Sequence, residues 1–248
     1  MSQVTLLTFG PMIDSEIARQ LLRHYRVPFT EERHLFGWSS ILSLIRAGTP
    51  RNPVIMGQGL SLAGSRAVAN YFDPLAPDDL KLLPIDPTLR AEMEAWQAFN
   101  GRLGPQVAVV AYYHLLPQTR SMIACFSDGV APAEAARTAQ WYGALRWLFT
   151  LLLQLNPTHA AQALDQVRHA LDVVDRRVAD GRAVLVGDRL TLSDINLACA
   201  IAPLILPEHY DAPVPALADM PPALQSIVAE LRQRPSADFV SQIYDRMA

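Results

Sequence analysis

Lysine is almost missing from this chain: Lys81 stands alone, and the other basic residues are arginines. With 21 Lys and Arg against 24 Asp and Glu the net charge is −3, and no run of basic residues occurs. That excludes a nucleic-acid partner held through its phosphates, which needs a basic patch. Charged residues make up only 18% against 50% apolar, which excludes a disordered chain and allows a sizeable core. Cysteine is scarce too. Cys125 and Cys199 form neither a CxxC redox pair nor part of a zinc set. A disulfide between them is open by count; two buried thiols in a reducing cytoplasm is the favoured reading. His24, His159, His169 and His209 have no spacing that indicates a metal site. Met-Ser-Gln-Val lacks a basic region leading into an apolar core, so no signal peptide is expected. The most apolar stretch, Trp141 to Leu155, is interrupted by Arg146 and Gln154 and falls short of the roughly 18 apolar residues of a spanning helix. A helix buried in a bundle is expected there, with peripheral membrane contact as the alternative.

Along the chain, Val4 to Phe9 reads as a strand ended by Gly10-Pro11. Ile17, Leu21 and Leu22 give Ser15 to Tyr25 a helical face, with Asp14 placed to cap it. Phe29 to His34 reads as a second strand, and Ile41 to Ile45 as a short helix. Four prolines between Pro74 and Pro87 mark a linker, after which strand signals vanish. Leu89 to Leu116 is helical, with Pro105 expected to kink or break it. Ala131 to Leu155 forms another helix, and Leu164, Val167, Leu171, Val174 and Val178 trace the stripe of a third. Thr191 and Asp194 form a capping box, with Leu190 and Ile195 as its hydrophobic staple. Leu224 to Leu231 and Phe239 to Tyr244 complete a helical second half.

The richest stretch is residues 52–73. Pro53 opens the run Val54-Ile55-Met56, Gly57 to Gly59 turn the chain, and Leu60 to Leu62 form a second short run. Gly64-Ser65 then leads into a helix whose apolar face is Val68, Tyr71 and Phe72. A hairpin feeding a helix N-terminus presents unpaired N–H groups and partial positive charge to an anion, and a carboxylate is the natural guest. The order βαβ, helix, ββα by itself supports a small α/β domain.

This stretch resembles the glutathione-binding half of the thioredoxin-like domain in glutathione transferases, and the Thr191–Asp194 box resembles the one opening that family's core helix. The chain is thus identified as resembling the bacterial, cytosolic type of glutathione S-transferase. The resemblance implies a thioredoxin-like α/β domain over 1–75, a linker over 76–87 and an all-α domain over 88–248. It makes Pro53 the cis-proline, gives the Asn52 backbone to the cysteinyl part of glutathione, and gives Ser65 with its N–H to the γ-glutamyl carboxylate. Gly64 stands where the family carries Glu, Gln or Asp, which removes a side-chain contact. Trp38 and Arg51 approach the glycyl end, although Trp38 fits a core position equally well.

The family aims a hydroxyl or a helix N-terminus at the glutathione sulfur. Aligned on Arg19, this chain has Thr8-Phe9 where tyrosine-type members carry their Tyr-Phe pair, and Met12 where serine- and cysteine-type members carry theirs. Methionine donates no hydrogen bond, so Ser15 and then Thr8 are the substitutes, each with a plain structural role as its alternative. Met12, Tyr112, Tyr113 and His114 are candidates for an acceptor pocket, the alternative for the aromatic groups being packing in the bundle. The function implied is a cytoplasmic, homodimeric enzyme that conjugates glutathione to a small apolar electrophile, without metal, nucleic acid or membrane insertion. A non-catalytic binding protein and a glutathione-dependent isomerase or lyase are the alternatives.

Overall fold

The computed structural model describes residues 3–247. Its first half is a four-stranded sheet in the order β2-β1-β3-β4. Strand β1 (Val4–Thr8) pairs in parallel with β2 (Phe29–Arg33), Val4 opposite Phe29. On its other side β1 runs antiparallel to β3 (Val54–Gly57), which forms a hairpin with β4 (Leu60–Ala63). Leu6 and Leu7 are both fully buried although they point to opposite faces, as befits a central strand covered on both sides. Helix α1 (Ile13–His24) connects β1 to β2, α2 (Trp38–Ala47) connects β2 to β3, and α3 (Ser65–Phe72) follows β4. The expected βαβ, helix, ββα order is therefore present.

Two 3₁₀ turns, Asp73–Leu75 and Asp78–Leu80, lead to the helical half. They are fixed by Asp73, whose Oδ1 accepts from the Tyr25 hydroxyl (2.8 Å) and from the Leu82 N–H (2.6 Å). Helices α4 (Pro87–Leu115), α5 (Thr119–Ser127), α6 (Pro132–Leu152) and α7 (Pro157–Val178) come next. They are followed by α8 (Leu192–Ile205), α9 (Pro222–Leu231) and α10 (Pro235–Met247). Every residue of α8 is buried, and it packs against α4, α10, α1 and α3. Its start is held by the expected capping box: the Thr191 N–H donates to Asp194 Oδ2 at 2.7 Å. Asp194 Oδ1 also accepts from the Leu185 N–H at 2.6 Å, tying the preceding loop to the helix.

Two expectations for the helical half need correction. Pro105 does not break α4, which runs through it; the missing N–H instead leaves the Gly101 carbonyl without its usual helical donor. Helix α6 is not buried all round. Tyr142 and Phe149 face the core, whereas Trp141, Trp147, Leu151 and Leu152 are each more than half exposed. Helix α5 carried no clear periodic signal because it is a single short run of nine residues. Cys125 and Cys199 are both buried free thiols, so no disulfide joins them.

Candidate functional site

The loop from β1 to α1 is fixed by a buried ionic cluster. Arg19 is 1% exposed; its guanidinium donates to Glu31 (2.9 Å), to Glu16 (2.8 Å) and to the Gly10 carbonyl (3.0 Å). Glu16 also accepts from Gln20 (2.8 Å) and from the Tyr244 hydroxyl (3.1 Å), so α1, β2 and α10 meet on one cluster. Burial alone would push the Glu31 carboxyl up, but Arg19, the Thr8 hydroxyl and Arg33 outweigh it and hold Glu31 below its ordinary range. Partners on every side are what allow such charges inside a protein. These contacts hold the Phe9–Met12 turn, and the N-terminus of α1 lines a cavity.

That cavity, about 510 Å³, lies between the two halves. Pro11, Met12, Ile13, Asp14 and Ser65 line it from the sheet side, and residues of α4, α6 and α8 from the helical side. It is hollow because one face of α4 is small: Gly101, Gly104, Ala108 and Ala111 recur at helical spacing along its wall. A Cβ at Gly101 would meet no atom within 4 Å. Beyond this stripe the wall is apolar and aromatic, with Phe36, Tyr112, Leu115, Met122, Phe149 and Tyr210. Tyr112 packs its ring on Phe149 at 5.0 Å. Burial pushes the phenols of Tyr112 and Tyr210 well up, so both stay protonated at neutral pH.

At the cavity edge a small groove gathers Pro53, Gly64, Ser65 and Asp14, and it shares Asp14, Ile17 and Ser65 with the larger space. The Asn52–Pro53 peptide is cis. Gly64 has φ 88°, a conformation that favours glycine, and begins α3 without a side-chain cap. The first N–H groups of α3 therefore face the groove without helical acceptors. Among the described residues no group of three or more His, Cys, Asp or Glu is placed to hold a metal ion. No described helix is long and apolar enough to cross a membrane.

The fold is found in known proteins. A glutathione S-transferase from Rhodospirillum rubrum F11 superposes with a TM-score of 0.58 at 18% identity, over 96% of this chain and 91% of that one. Residues 157–233 match the family model described as the glutathione S-transferase C-terminal domain. The chain has the glutathione S-transferase fold. A glutathione S-transferase from Methylobacillus flagellatus KT, solved with GSH bound, has a TM-score of 0.54 at 17% identity and covers 96% of this chain and 98% of its own. Another, from Methylobacterium radiotolerans in complex with glutathione sulfonate, has a TM-score of 0.53 at 21% identity, covering 96% and 95%. No curated protein matches the chain.

Within the glutathione S-transferase fold the expected site residues divide into two groups. Pro53, Gly64 and Ser65 come together in the groove, and Met12 and Tyr112 line the cavity. Asn52 lines neither space. With its amide oxygen toward Phe9, it accepts from the Phe9 N–H and donates to the Leu7 carbonyl, each at 3.1 Å, bracing β1 against Pro53. Ser15 does not reach the cavity: it is fully buried, and its hydroxyl donates to the Phe9 carbonyl at 2.8 Å. Thr8 is likewise consumed, donating to Glu31 at 2.7 Å. Trp38 is 48% exposed on α2, and Arg51 lies on an exposed turn; neither lines the cavity, nor do Tyr113 and His114.

Asp14 was expected to cap α1, yet it makes no capping bond; Met12 occupies the N-cap position. Asp14 instead stands in the first turn, partly open to solvent where the groove and the cavity meet, and desolvation by their walls raises its carboxyl above the ordinary value. Gln97, Asn100, Asn196 and Tyr210 also belong to the site and escaped the sequence reading. The legible signal for two of them was Gln97 and Asn100 continuing the stripe of Gly101, Gly104 and Ala108 on α4.

Proposed function

We propose that the protein is a glutathione transferase that conjugates glutathione to a small apolar electrophile. The observation that carries this reading is the meeting of two surfaces: a groove holding Pro53, Gly64 and Ser65 opens directly into a largely apolar cavity. Ser65, with the free N–H groups of α3, takes the γ-glutamyl carboxylate. The sulfur then lies toward the N-terminus of α1. With Ser15 and Thr8 bonded elsewhere, the backbone N–H groups there and the positive end of the helix favour the thiolate. The aromatic and aliphatic wall receives the acceptor and excludes water, and holding both reactants together supplies rate through proximity. The protonated Tyr112 and Tyr210 hydroxyls are donors for an oxygen or nitro group on the acceptor. A homodimer in a reducing compartment goes with this reading; two free cysteines suit the compartment, and sedimentation measures the assembly.

Calorimetric titration with glutathione tests it on the native protein and on Ser65→Ala. Micromolar to low-millimolar binding that Ser65→Ala weakens about tenfold, or 1.4 kcal/mol, is expected. Absence of binding by the native protein overturns the reading. The second reading, a binding protein without turnover, is favoured by Met12 and Asp14, which place a thioether and a carboxylate where a thiolate needs donors. Reproducible conjugation of any member of an electrophile panel removes it.

A further inference from the structure

Helix α2 is inverted. Its buried side is Ser39 and Ser43, both fully covered where the helix packs on β1 and β3. Trp38, Ile41, Leu44 and Ile45 share the opposite side at three- and four-residue spacing, and Ile45 is 72% exposed. A helix on a globular protein ordinarily turns its apolar stripe to the core. Helix α6 is apolar on its outer side too, where Trp147 and Leu151 stand open to solvent. The two helices are neighbours. Glu134 of α6 bonds His34 (2.9 Å) and accepts from the Leu35 N–H (2.6 Å), and the Phe36 ring meets Phe149 at 4.6 Å, just before α2 begins. Single exposed apolar residues need no explanation, but two adjoining helix faces do.

The charges around these faces narrow the occupant. Residues 38–51 carry no acid, and α6 carries only Glu134, already engaged. Nearby Glu32 and Asp128 are engaged by Arg46 and Arg33. Arg51, Arg137 and Arg146 are exposed and make no ion pair among the described residues. A chain of net charge −3 thus keeps three unpaired cations beside this apolar surface. A second copy docked here about a twofold axis would set arginine against arginine. An anionic bilayer meets both demands: its headgroups pair the arginines, and its acyl boundary takes the apolar side chains. Tryptophan is enriched at that boundary, and three of the chain's four tryptophans, Trp38, Trp141 and Trp147, belong to these two helices.

We propose that α2 and α6 form a peripheral docking face for an anionic lipid surface. Trp38, Ile41, Ile45, Trp147 and Leu151 enter the interface, and Arg51, Arg137 and Arg146 meet the headgroups. No described helix is long and apolar enough to span, so the contact is interfacial and reversible. Phe149, on the inner side of α6, lines the cavity, so docking sets that space about one helix diameter, roughly 10 Å, from the bilayer.

Co-sedimentation of the native protein with mixed phosphatidylglycerol–phosphatidylcholine vesicles, and with phosphatidylcholine alone, tests the face. The anionic vesicles should be bound at least about tenfold more tightly, with a blue shift of tryptophan emission, and added salt should weaken the binding. Ile45→Glu with Trp147→Glu should cut that affinity at least about tenfold and leave thermal unfolding unchanged, since both side chains are exposed. Arg137→Gln with Arg146→Gln should bring the two vesicle types within about threefold of each other. Binding of neither vesicle by the native protein, equal binding of both, or undiminished binding by the glutamate variant overturns the proposal. A concentration-dependent dimer that the glutamate variant loses, without vesicle binding, gives the face to a second copy and overturns it as well.

Discussion

Removing the Asp194 carboxylate should cost more stability than any other single truncation of a polar side chain in the helical half. Its Oδ1 accepts from the Leu185 N–H at 2.6 Å, and its Oδ2 from the Thr191 N–H at 2.7 Å and the Thr191 hydroxyl at 2.6 Å. The side chain is fully buried, so water cannot replace it in Asp194→Ala. Two backbone N–H groups are then stranded, each at about 1–3 kcal/mol, and a helix cap is lost. A total near 4 kcal/mol follows, a large part of the roughly 5–15 kcal/mol that holds a typical domain. With about 2.1 cal/mol/K of unfolding entropy per residue over a chain of 248 residues, the melting point should fall by about 8 °C. Urea unfolding and a calorimetric melt measure both. Asp194→Asn keeps one acceptor and should lose about half as much. A loss below about 1 kcal/mol in Asp194→Ala would show that the loop at Leu185 relaxes to find other acceptors, and the reasoning fails.

Acid stability should depend on Glu31. Its carboxyl is held low in the folded protein, so its contribution is complete above the ordinary carboxylate range and is lost as pH falls through the folded value. Glu31→Gln should therefore flatten the decline in stability between neutral pH and about pH 3, seen in urea midpoints; an unchanged slope refutes it. Ser15→Ala should lower stability by about 1 kcal/mol through the lost bond to Phe9 and leave turnover within about threefold of native. A far larger loss of turnover would return Ser15 to the chemistry. Burial pushes the Cys125 thiol up to about 11 and Cys199 well above its ordinary value, so both should resist thiol reagents at pH 8 in the native protein. Both should react in denaturant, and rapid native labelling would contradict their burial.

Much of the sheet half was legible because its signals are local. A strand, a turn at Gly10-Pro11 and a hairpin closing on Gly64-Ser65 depend on neighbours in sequence, and their order has few compact solutions. The Thr191–Asp194 box was legible for the same reason: a cap is complete within four residues. Asp14 was misplaced because a first-turn carboxylate can serve the helix or face outward, and the choice was made by Met12 taking the cap position. Periodicity shows which residues share a face but not what the face meets. Gln97, Asn100 and the glycines beside them could have lain on solvent; α8, nearly a hundred residues later, turns that face into a cavity wall. The same limit hid the exposed side of α6, whose apolar composition all round gives no sign of which side is covered.

The Asn196–Ser65 bond crosses from one half of the molecule to the other, and so does the wall of the cavity. Neither half encloses the cavity by itself, which makes the two inseparable as evolutionary modules. Exchange of the helical half with that of a relative would replace one wall of the cavity and the Asn196 contact to Ser65 in a single event. Stepwise change in the shape of the cavity is left to residues such as Ala108, Tyr112 and Phe149, which line it away from that bond.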